Sequence, residues 1–181
     1  MSYDNSDLYR AFPSSVRTEV NAAVSVLPIT EYNEPSAFSV FVAGEFVRIP
    51  YRINHDVELI DSSGLTSLQK KLLDCILSRH GDGFTREKHL RNVIASRYEW
   101  VPPFVIQLLG EYVVEILCAI RDVLPELDES LYRTFLLANP VFFDRTKQRV
   151  RSYWYCYYTN VKREDYAGFE IIRFLEGLGR R

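Results

Sequence analysis

Apolar residues return every third or fourth position through most of the chain after Thr66, and alternate with polar ones only over a short stretch before it. Ahead of that stretch, Val16, Val20, Val24 and Leu27 recur at helical spacing behind Pro13, Ser14 and Ser15. This predicts a short helix that stops at Pro28. Ala37 to Val42 and Phe46 to Ile53 are two β-rich runs joined through Ala43, Gly44 and Glu45, where glycine supplies the positive φ of a tight turn. Pro50 has no backbone donor, so the second strand ends there or lies along an edge.

From Thr66 onward, Leu68, Leu72, Cys75 and Ile76 share one helical face, with Thr66 or Ser67 as N-cap and His80 to Gly83 as the stop. A second helix, capped by Thr85, carries Leu90, Val93 and Ile94 inward to about Ala95. Pro102 and Pro103 suit the first turn of a third helix, which runs from Phe104 to Val123 and is apolar on most faces. Pro125 ends it, Asp128 caps a fourth helix through Ala138, and Asn139 and Pro140 break the chain again. The fifth runs from about Phe142 to Asn160, with Val150, Tyr153, Trp154, Tyr157 and Val161 as an inward stripe. A last short helix spans Gly168 to Leu175.

The fold expected is mainly α: a compact bundle of five to six helices around a central apolar helix at about 103–123, with an N-terminal β-hairpin at about 37–53 packed on it. Residues 1–36 are expected to be a weakly structured segment holding the short helix, and 37–181 a single helical domain that includes the hairpin. The stretch Asp82 to Leu90 resembles the second helix of a HEAT-type unit, which implies a short HEAT-like array of helical hairpins as the alternative; no second copy follows at a fixed period.

With 181 residues, 47% of them hydrophobic and 25% charged, the chain can bury one ordinary core without a metal or disulfide. The formal net charge of -2 argues against coating nucleic acid or an anionic membrane along the whole surface, and leaves room for local basic patches. Cys75, Cys118 and Cys156 are widely spaced among apolar or aromatic neighbours and read as buried thiols of a reducing compartment, not as a disulfide framework or zinc ligands. No signal peptide is visible, and Glu111, Glu115 and Gln107 interrupt the longest apolar stretch, so a cytoplasmic protein without membrane contact is expected.

Two basic elements are the candidate binding faces. The first is the helical pair from Leu68 to Ala95, where Arg86, Lys88 and Arg91 stand as they would on a helix-turn-helix reader of nucleic acid. The second is the fifth helix. With Tyr153, Trp154 and Tyr157 assigned to the core, Tyr155 and Tyr158 remain beside Lys147 and Arg151 as a small basic-aromatic platform. Glu111 to Glu129 holds six acidic residues against one arginine as an opposing surface.

Catalytic patterns are thin. There is no Cys-x-x-Cys pair, phosphate-cradling glycine loop or nucleophile elbow, and the three histidines lack the spacing of a helical zinc site. A Cys75 nucleophile with His80 places its thiol on the apolar stripe, where it is inert. No catalytic residue, cofactor or metal is expected. The function expected is a non-catalytic intracellular protein-interaction module acting as adaptor, regulator or neutralising partner, with another protein as its partner. A nucleic-acid binder using both basic elements is the alternative, and a small enzyme without recognisable motif the third reading.

Overall fold

The structure, a computed structural model, describes residues 5–29 and 36–180. Residues 1–4 and 30–35 of the expected N-terminal segment, and Arg181 of the tail, lie outside the described residues. The protein is mainly α-helical, with eight α-helices and one two-stranded antiparallel hairpin among the described residues. It divides into two compact units, Met1–Val93 and Ile94–Arg181. No helix among the described residues is long and apolar enough to cross a membrane.

The first unit begins with a 3-10 helix, Asn5–Ala11, followed by helix α1 (Arg17–Ser25), which buries Val20, Ala23 and Val24. Strands β1 (Ala37–Val42) and β2 (Glu45–Pro50) pair with Val42 opposite Glu45. Their turn is the two residues Ala43 and Gly44, both at positive φ (53° and 85°), the geometry that matches the twist of a hairpin. Period-two alternation puts Phe38, Val40, Val42, Val47 and Ile49 inward, and β2 packs on the 3-10 helix, whose Leu8 and Ala11 are buried. Phe41 and Phe46 pair edge-on across the other face, 5.3 Å apart.

Helix α2 (Ser67–Leu77) starts with a capping box: Thr66 accepts from the Gln69 N–H, and the Gln69 side chain accepts from the Thr66 N–H. Gln69 also donates to Glu19 of α1 (2.8 Å). Helix α3 (Gly83–Val93) begins at the turn expected. Its cap is Asp82, whose carboxylate accepts from both the backbone and the hydroxyl of Thr85 (2.8 Å each). Thr85, the expected cap, is a donor because it sits three residues inside, where the amide is still unsatisfied.

In the second unit, α4 (Pro102–Leu109) is buried at every residue and packs on α5 (Val114–Asp122), α6 (Glu129–Ala138) and α7 (Pro140–Tyr157). Helix α8 (Ala167–Gly179) packs on α5, α6 and α7 and is longer than its sequence pattern suggests. The long central helix expected at 103–123 is two helices. It breaks at Gly110, where an added Cβ would come within 2.9 Å of the Arg149 side chain, and the backbone stays extended at Val113 before α5 starts. Glu111 is consequently buried in the break instead of lying on a charged stripe.

The start of α8 depends on another close approach. A Cβ on Gly168 would lie 2.7 Å from the Tyr166 ring and 2.9 Å from a Val150 methyl. Gly168→Ala is expected to destabilise the fold by about 1–3 kcal/mol, the usual effect of overpacking, read as a lower urea midpoint with an unchanged slope.

Candidate functional site

The two sequence-derived basic faces fare differently in the fold. In the first, Arg86 is only 2% exposed. Its guanidinium donates to the carbonyls of His80 (2.8 Å) and Gly81 (2.7 Å), so it satisfies the α2–α3 turn and cannot reach a phosphate. Arg79, fully buried, likewise donates to the carbonyls of Pro50 (3.3 Å) and Tyr51 (2.7 Å) at the exit of β2. Arg91 is exposed but bound to Glu87 one turn back, 2.8 Å away. Lys88 is exposed and stands apart from both. Of the three cations expected on this helix, Arg86 is thus an internal donor whose replacement would strike the fold, and Lys88 and Arg91 are the exposed ones.

The same seam organises the histidines. Ile53 bridges the 79–81 segment through its N–H to Arg79 and its carbonyl to Gly81 (3.0 and 2.8 Å). His80 accepts from the Asp82 N–H at Nδ1 (3.0 Å) and donates from Nε2 to the His55 carbonyl (2.9 Å), so neither nitrogen is open to a nucleophile. Cys75 is fully buried, and burial, with the Asp74 charge beside it, pushes its thiol well above the ordinary range. The Cys75 and His80 arrangement therefore does not form. Among the described residues, no group of three or more His, Cys, Asp or Glu is placed to hold a metal ion.

The second face lies on α7, and its inward stripe is shorter than the periodicity suggests. Phe143, Thr146 and Val150 are buried, but Tyr153 and Trp154 are half-buried and Tyr157 is 64% exposed. The rings pair with one another at the surface: Tyr153 lies 6.0 Å from Tyr157, and both lie within 6.3 Å of Tyr112, which follows the Gly110 break. Trp154 donates its indole N–H to the Val161 carbonyl (3.0 Å) and meets Phe169 edge-on at 5.7 Å.

Of the four residues assigned to this face, two come together. Arg151 and Tyr155 line one shallow groove of about 450 Å³ with Trp154, Phe169 and Arg163, whose guanidinium lies 4.7 Å above the Phe169 ring. Lys147 is turned away and bound to Asp144 (2.8 Å) and Glu176 (3.2 Å), which raise its pKa. Tyr158 is also turned inward. It stacks on Tyr166 at 5.3 Å and donates to the Tyr112 carbonyl at 2.6 Å. Burial pushes the Tyr166 phenol up to about 12.

Tyr112, Tyr157 and Arg163 belong to the exposed surface but are missing from the sequence-derived set. The available signal was chemical: the positions continuing the stripe after Val150 are Tyr, Trp and Tyr, each with a polar atom suited to a half-wet site, where a closed core would take Leu or Ile. Compared with protein-family models, curated proteins and solved structures, the chain matches none.

The seam in the first unit also predicts a pH response. His55 is 2% exposed, and its pKa is lowered by burial first and by the neighbouring His80 charge, against the hydrogen bond to the Pro28 carbonyl (2.9 Å). The unfolded chain therefore takes up a proton that folded His55 resists. Stability should be complete above the ordinary imidazole value near pH 6.5 and decline as pH falls below it. Urea midpoints measured from pH 7.5 to 5 should show this decline, and His55→Gln should flatten it.

Proposed function

We propose that the protein is a non-catalytic protein-interaction module whose contact surface is the C-terminal half of α7, with Tyr112 and Arg163 beside it. One observation carries this reading. Tyr155 is 74% exposed beside Arg151 and Arg163, and Tyr112 and Tyr157, 56% and 64% exposed, stand together on the other side of the same helix end. Large amphipathic rings left in water have an unmet hydrophobic gain, and tyrosine with arginine is the composition that dominates binding hot spots. Arg151 has no ion pair among the described residues, and with Arg163 it favours an acidic partner segment.

A nucleic-acid contact has less support. The two elements expected to provide it use Arg86, Arg91 and Lys147 in internal or local pairs, which removes three of the cations that would neutralise phosphates.

Photo-crosslinking distinguishes the readings. With benzoylphenylalanine at position 155 in the full chain in its host cell, irradiation should yield one defined protein adduct. That adduct should be lost when Arg151→Glu is added and absent when the probe replaces exposed Thr18. Adducts that are mainly nucleic acid, or the same protein set from both positions, would reject the proposal.

A further inference from the structure

The first unit holds a second cluster of titratable side chains, unrelated to the α7 surface. His89 on α3 hydrogen-bonds through Nδ1 to Asp74 Oδ1 on α2 at 2.6 Å, and the Asn92 side-chain amide donates to the same oxygen at 3.0 Å. Lys71 adds a further link by donating to the Asn92 carbonyl. With Nδ1 held by the carboxylate, Nε2 is the ring nitrogen left for a ligand, and its direction is set by the scaffold. The two side chains remain partly accessible, at 15% and 14% of their surface.

They face a groove of about 530 Å³ formed by the 57–62 segment, α2 and α3. That volume lies within the roughly 300–1,000 Å³ typical of small-molecule sites. One wall is apolar, built from Val57, Ile60, Leu73 and Leu77. Lys70 and Lys88 stand on the lining, both exposed and neither in an ion pair among the described residues. Glu58 is the opposing charge there, while the Asp74 carboxylate is already engaged by His89 and Asn92. A ring nitrogen held in place, two open ammonium groups and an apolar wall line one space. A tie between two helices requires only the Asp74, His89 and Asn92 contacts.

We propose that this groove binds a small hydroxylated phosphate ester. Lys70 and Lys88 hold the phosphate as point charges, His89 Nε2 accepts a hydrogen bond from a ligand hydroxyl, and the apolar wall covers the carbon skeleton. Two ammonium groups match the double charge of a phosphate monoester better than the single charge of a carboxylate.

The test is nuclear magnetic resonance on the labelled full chain, with glucose 6-phosphate, inorganic phosphate and glucose as separate probes. Glucose 6-phosphate should shift the His89 ring nitrogens and the amides of Leu73 and Thr85 saturably. The Lys70→Ala, Lys88→Ala double variant should weaken that binding by about tenfold or more, as expected for lost charge-assisted contacts, with spectral dispersion preserved because both lysines are exposed. His89→Gln should weaken the ester without changing the weak effect of inorganic phosphate. No shift at millimolar ester, equal affinity for inorganic phosphate or glucose alone, or unchanged binding in the double lysine variant would overturn the proposal.

Discussion

Two buried arginine side chains donate to carbonyl groups at the end of β2 and in the α2–α3 turn. Arg79 reaches Pro50 and Tyr51; Arg86 reaches His80 and Gly81. Hydrogen bonds from charged donors contribute about 1.5–3 kcal/mol each, and an unmet buried carbonyl costs a comparable amount. The contacts join the strand exit to the helical turn, and the Ile53 bridge runs through the same seam. The direction in which α3 leaves that turn brings His89 opposite Asp74. The end of the hairpin and the α2–α3 pair thus share one polar support. Buried charge is retained there because each guanidinium is matched to carbonyl oxygens.

The second unit rests on shape instead. Every residue of α4 is buried, and the chain turns at Gly110, where the stem of Arg149 occupies the space a side chain would need. Ending α4 there releases Tyr112 from the helical path and sets it against Tyr153 and Tyr157. A straight helix through residue 123 would have carried Tyr112 on a helix face. The break therefore helps to create the exposed aromatic surface, and the Tyr158 bond to the Tyr112 carbonyl holds it to the end of α7.

Charge is partitioned in a similar way. Arg91 and Lys147 lie close to carboxylates on their own helices, so local pairing absorbs them. Arg151 and Arg163 lie beside rings, and Lys70 and Lys88 beside an apolar wall with a fixed imidazole. These latter four are the cations on which the two proposed surfaces draw. Exposed ion pairs of this kind contribute little to stability.

Local features were legible in the amino-acid sequence because their causes are local. The turn at Ala43 and Gly44, the stop at Pro50, the Thr66 cap and the Asp128 cap follow from φ restrictions and from orphan amides within a few residues. The mainly helical class and the hairpin follow from the period of the apolar positions. The state of Gly110 was not legible, since glycine in a helical pattern continues or breaks according to what packs on it, and that is Arg149, 39 positions away in the chain. Nor does the letter for arginine say whether its guanidinium faces water or a carbonyl, so Arg86 read as a surface cation. Tyrosine and tryptophan fit core and interface alike, so the outer end of α7 read as core. The sequence by itself determined the mainly helical class, the hairpin and several caps through contacts between near neighbours. Only the tertiary structure decided which cations and rings remain open, because that depends on groups far apart in the chain meeting in space.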